Sequence, residues 1–239
     1  MKNLFNMTNP FWSFMAKLLD VIVLHFFWFV CCLPIVTIGP ATVALYYTLM
    51  KEARDEGDAY YRMFFRAFKE NFKHGFPLGI IFLIGAVALG YAAYLDYSMY
   101  IQTAQFYWDV LKYVCILLLL VWIGIFEYAF PLAARFENKT IKTLENGFFF
   151  SLKYLGWTIV MTAIFAGFYF LVFWFGEYIL ILLILGFGFI VFLDSYILNY
   201  IFKPFIDEYE EAEAKRRAEE REKEEQEWLI KQKEGNKDE

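Results

Sequence analysis

The sequence predicts an all-α, polytopic membrane protein with five transmembrane helices. Three observations predict it. The chain is 60% hydrophobic and 22% aromatic over 239 residues, and several windows of about 20 residues lack the polar groups of a water-facing side, as a helix through a hydrocarbon core about 30 Å thick requires. Strand-like alternation is absent, and a helix satisfies its own backbone polar groups in lipid. Lys and Arg fall in alternate connections, as they do where a chain weaves through a bilayer.

The spans lie at about 18–38, 76–95, 111–134, 154–175 and 178–202. Lys2 and Lys17 precede the first, as in a signal peptide, but Pro34, Ile35 and Pro40 make a poor cleavage site, so the segment is read as a span. Between spans one and two lie Lys51, Arg54, Arg62, Arg66, Lys69 and Lys73; between three and four lie Arg135, Lys139, Lys142 and Lys153. The 96–110 connection and the Phe175 to Tyr178 turn carry none. The expected orientation is an outer N-terminus and a cytoplasmic C-terminus in a cell membrane.

Pro34 falls near the inner end of span one, and Gly39-Pro40 is suited to stopping one helix and starting another, because proline fits a first helical turn. After Gly57, Arg62, Arg66, Lys69 and Lys73 recur at intervals of 4, 3 and 4, and Tyr61, Phe65, Phe68 and Phe72 repeat those intervals one residue earlier. These two stripes suit an amphipathic helix on the cytoplasmic surface, rings in the acyl boundary and cations toward anionic headgroups. Lipid accounts for both stripes, so nucleic acid is not expected as a partner. "TIKTLENGFFFSLKYLGW" before span four looks like a weaker version of "MFFRAFKENFKHGFPLG" before span two, which raises an internal duplication of span, interfacial helix and span.

Residues 207–239 form a charged cytoplasmic tail of 8 bases and 14 acids, leaving the 1–206 membrane domain with 14 bases and 13 acids. Opposite charges three and four apart predict a solvated helix there. Trp228, Leu229 and Ile230 are its candidate anchor.

Charges inside spans are costly and need an account. Glu127 and Asp194 fall in the inner halves of spans three and five, and convergence would give one polar pocket sharing a proton or a cation. The alternative sends Glu127 toward Arg135 at the interface and bonds Asp194 to Ser195 or Tyr196. His25 in span one is read either as a relay or as a neutral histidine bonded to a neighbouring helix. Cys31, Cys32 and Cys115 lie in apolar segments without metal or redox spacing. No His/Cys/carboxylate cluster has ligand spacing, and Walker, Gly-rich phosphate and Gly-x-Ser-x-Gly motifs are missing. No cofactor and no enzymatic activity are expected. Gly85, Gly90, Gly186 and Gly188 are read as close-packing positions.

"LPIVTIGPATVALYYTLMKEARDEGD", with "FFRAFKENFKHGFPLG" after it, resembles the signature of the YesL-like family of bacterial integral membrane proteins. That resemblance implies a five-span layout and a link to carbohydrate-utilisation genes, and it supplies no catalytic residues. The expected function is a non-enzymatic accessory or assembly partner of a sugar transporter, touching membrane lipid and binding permease subunits through the interfacial helix and the charged tail. The alternatives are a small solute transporter or channel using Glu127 and Asp194, and a membrane enzyme acting on lipid-linked sugar. Oligomeric state is left open, a homo-oligomer included.

Overall fold

The computed structural model describes residues 10–56, 59–103, 106–136, 138–174 and 186–206. The chain forms two compact units, residues 1–197 and 198–239. In the second, only 198–206, the last turns of a helix, are described. Among the described residues there is no strand, as the absence of alternation predicts.

The helices are α1 (Pro10–Cys32), α2 (Ile38–Glu52), α3 (Tyr60–Glu70), α4 (Phe72–Thr103), α5 (Phe106–Arg135), α6 (Thr140–Lys153) and α7 (Leu155–Trp174), and then α8 (Gly186–Ile206). Five are long and apolar enough to cross a membrane: Phe14–Cys32, Phe72–Asp96, Val110–Arg135, Leu155–Trp174 and Gly186–Ile206. The chain is thus a multi-pass, all-α membrane protein. The start of span five expected from 178 lies partly outside the described residues.

Span one departs most from expectation. The apolar pattern carries it to 38, but α1 stops at Cys32, a 3-10 turn occupies Ile35–Thr37, and α2 begins at Ile38. Pro34 cannot donate to the helical ladder, and the Thr37 hydroxyl caps the break by donating to the carbonyls of Cys31, at 2.5 Å, and Pro34, at 2.6 Å. Gly39 and Pro40 sit in the first turn of α2, where a missing N–H costs nothing.

α2 then runs back along α1 as an antiparallel hairpin. Trp28 Nε1 donates to Thr42 Oγ1 at 3.2 Å, and farther down Lys17 Nζ meets the Asp55 carboxylate at 2.7 Å. A single crossing would put Lys17 at the outer end and Asp55 in the inner loop. The ion pair instead gathers the N-terminal end of α1 and the loop after α2 at one end. α8 is antiparallel to α1 as well: Phe187 stacks on Trp28 with centroids 4.5 Å apart, while Tyr196 lies within electrostatic reach of Lys17. The physical reason is the proline break, which ends α1 at Cys32 and turns the chain back on itself.

Twelve of the fifteen α2 residues are buried, so this helix is core rather than surface. Close approach to α4 makes that possible. A Cβ on Gly79 would lie 2.6 Å from Gly39 Cα, and one on Gly75 would lie 2.7 Å from Pro40 Cα. Gly75 and Gly79 form a G-x-x-x-G pair, the small-residue face through which membrane helices bring backbones together. By contrast α4 and α5 expose most of their apolar surface, with 11% of each spanning window buried, which is the lipid-facing condition. Of the four glycines expected to serve close packing, Gly85 accommodates the Trp122 ring, Gly186 faces Phe168 and Gly188 faces His25; Gly90 has nothing within 4 Å.

Candidate functional site: a buried carboxylate pair

Glu127 on α5 and Asp194 on α8 are each 1% exposed, and the charges of both lie within electrostatic range of the buried Tyr46 hydroxyl of α2, as that of Asp194 does for Glu127. Three elements far apart in sequence therefore place two acids and a phenol in one buried group. Thr162 of α7 donates its hydroxyl to Glu127 Oε1 at 2.8 Å, which fixes the carboxylate plane. Among the described residues, the second Glu127 oxygen, both Asp194 oxygens and the Tyr46 oxygen have no hydrogen-bond partner.

The local sequence explains the arrangement. α5 runs through Pro131 to Arg135, and proline at 131 removes the N–H that would satisfy the carbonyl four residues earlier, which is that of Glu127. Glu127 thus brings both a carboxylate and a backbone carbonyl without its helical donor. Ser195, beside Asp194, spends its hydroxyl on the Val191 carbonyl at 2.7 Å. The alternative bonding of Asp194 to Ser195 is therefore not what occurs, and Glu127 is buried two turns inward of Arg135 rather than reaching toward it.

Two carboxylates in a low-dielectric interior repel one another and lose hydration, a state stable only if a proton or cation is shared. Among the described residues no group of three or more His, Cys, Asp or Glu side chains is disposed to hold a metal ion. Two carboxylates and a phenol make an oxygen-only set that suits a proton or a hard monovalent cation.

A second, polar cavity of about 470 Å³ is lined by Tyr47, Glu70, Asn71, His74, Arg135 and Asn138, among others. Tyr47 adjoins Tyr46 in sequence and Arg135 closes α5. The cavity therefore sits at the basic end of the helices, next along α2 from the carboxylate group.

The remaining expected residues separate from this group. His25 is fully buried, accepts the Gly188 N–H at Nδ1 at 3.0 Å and stacks on Trp28. An accepting Nδ1 makes the ring neutral with its proton on Nε2. Gly188 is six residues, about 9 Å, from Asp194 along α8. His25 thus works as a joint between α1 and α8.

On α3, Arg62, Arg66 and Lys69 are exposed beside exposed Tyr61 and Phe65 and half-buried Phe68, while a third stripe, Met63, Phe64 and Ala67, is buried. Phe72 and Lys73 fall beyond the break at Asn71, in the first turn of α4. Phe65 reaches Phe27 of α1, centroids 5.1 Å apart. Trp228, Leu229 and Ile230 lie outside the described residues.

A third polar group gathers at the open end of the α1–α2 hairpin. Glu52 is 1% exposed and its carboxyl is pushed up to about 7, first by burial and then by the Asp20 charge, against a hydrogen bond from Tyr60 and the charge of Lys17. Burial and Glu52 together push the Tyr60 phenol up to about 12.

Sequence reasoning missed Tyr46 and Thr162. The spacing of Pro131 to Glu127 was visible and marks the freed carbonyl; nothing local marks Tyr46 within "ALYYTL".

A family model described as "Protein of unknown function, DUF624" matches residues 21–97, from α1 into α4. This is the family that the 33–58 string resembles. The matched stretch contains Tyr46 and the Gly39, Gly75 and Gly79 contact, and it ends before Glu127 and Asp194. No curated protein and no solved structure matches the chain.

Proposed function

We propose that this protein is a small solute carrier whose driving ion, a proton or a monovalent cation, binds at Glu127, Asp194 and Tyr46. The carrying observation is the set of four polar oxygens on three fully buried side chains that find no hydrogen-bond partner among the described residues. Ionisable groups inside a membrane protein mark ion and proton pathways. The polar cavity at Tyr47 provides the approach from the basic side. The solute expected from the family resemblance is a sugar or oligosaccharide.

The test is purified protein in liposomes carrying an internal pH or sodium reporter, with a panel of oligosaccharides outside. Solute-dependent ion movement is expected, and Glu127→Gln and Asp194→Asn each reduce it roughly a hundredfold or more. Wild-type rates in both variants would remove the pair from the mechanism.

A second reading keeps the protein as an accessory of a bacterial sugar importer, supported by the exposed aromatic and basic stripes of α3. Arg62→Glu with Arg66→Glu then abolishes co-purification of permease subunits; unchanged recovery sinks it.

We also assign an orientation: the N-terminal end, the 51–75 stretch and the 135–153 stretch all face the cytoplasm. The Lys17 to Asp55 ion pair and the positive-inside rule support it. A cysteine replacing Lys17 should react with an impermeant thiol reagent only after the cells are opened. Labelling in intact cells would restore the outer N-terminus.

A further inference from the structure

The lipid-facing side of α4 and α5 is not smooth. Between them lies an elongated cavity of about 900 Å³, walled by Gly79, Leu83, Gly90, Leu119 and Trp122 and bounded at the far end by Asp96 and Lys112. Its floor exists because Gly85 lets the Trp122 ring lie against the α4 backbone, and its upper part stays open because Gly90 has nothing within 4 Å. From Gly79 to Asp96 the groove runs about 25 Å along the helix, longer than the roughly 15 Å hydrocarbon depth of one leaflet.

The far end differs chemically from the rest. Asp96 is 7% exposed, and its Oδ1 accepts no hydrogen bond among the described residues. Lys112 lines the same end with its ammonium over the Tyr113 ring at 5.2 Å. A long apolar trough closed by one carboxylate and one ammonium matches an amphiphile with hydrocarbon chains and a zwitterionic head. A buried, unpartnered carboxylate oxygen needs an N–H donor, not merely a positive charge. A primary ammonium supplies three donors and a quaternary one supplies none.

We infer that the α4–α5 groove is a binding site for a phospholipid with a primary-amine headgroup, its ammonium on Asp96, its phosphate toward Lys112 and one acyl chain along Gly90 and Gly79. This site is separate from the carboxylate pair and stands whether or not that pair carries an ion.

The full-length protein is exchanged into nanodiscs of equal parts phosphatidylethanolamine, phosphatidylcholine and phosphatidylglycerol, then extracted and weighed intact with its retained lipid. Retention of the ethanolamine lipid over the choline lipid by roughly tenfold is expected, the discrimination one hydrogen bond to a charged group provides. Asp96→Asn should erase that preference. Gly90→Phe should lose bound lipid of all kinds, and its unchanged or raised melting temperature distinguishes a filled groove from a misfolded chain. Equal retention of the ethanolamine and choline lipids, preference for the glycerol lipid, or a preference that survives Asp96→Asn would each overturn the assignment.

Discussion

The first and second halves of the membrane domain meet a proline in opposite ways. At Pro34 the helix stops at Cys32 and the chain turns back as α2; at Pro131 the helix continues to Arg135 before a short link to α6. The next helix differs accordingly. α2 buries twelve of its fifteen residues, whereas α6 buries three of fourteen, Thr143, Gly147 and Ser151. A proline alone therefore does not decide between a break and a continuation. The residues on its C-terminal side do: Pro34 leads through Thr37 capping into a glycine that docks on a glycine pair, while Pro131 leads into a turn of alanines that simply extends α5.

The sharpest test of that difference is steric. Gly79→Leu pushes a side chain into Gly39 Cα, a backbone atom with nowhere to move, and should cost about 3 kcal/mol or more, read as loss of folded protein after detergent extraction. Gly147→Ala, whose new Cβ would lie 3.2 Å from the Ile125 carbonyl oxygen, should cost about 1 kcal/mol or less by the same measurement. Equal losses would dissolve the distinction between core α2 and peripheral α6.

A smaller effect separates the two halves by pH. Glu52 at the end of α2 is held near 7 against an ordinary 4.5, so the folded state binds a proton that the unfolded chain releases. Its contribution is fully present below about 4.5 and is lost as pH rises through about 7. Melting temperature should fall across that window, and Glu52→Gln should flatten the fall. A wild-type slope in the variant would move the titration to another group.

Much of this architecture was legible in composition and periodicity. Spans three and four end within a few residues of the expected boundaries, because long apolar runs bounded by charge have one solution in lipid. Convergence of Glu127 and Asp194 was one of two readings, and only tertiary structure separates them, since each residue alone is compatible with a neighbour bond. The hairpin was not legible. Its signal is the fit of Gly39 against Gly75 and Gly79, residues 36 and 40 positions apart, which reads locally as loop and membrane entry. Tyr46 was hidden for the same reason: a tyrosine in a short mixed helix gives no sign that the helix lies in the core.

The reliance of α2 on later helices also sets a timetable for biogenesis. At a synthesis rate of roughly 5–20 residues per second, Asp194 emerges some 7–30 s after Tyr46. During that interval the inserted chain carries a helix without its partners, and Glu127 without the acid that faces it. Nascent chains stopped before α8 will lack the packing that buries Tyr46 and Glu127, which makes the last span the step at which quality control can tell finished molecules from unfinished ones.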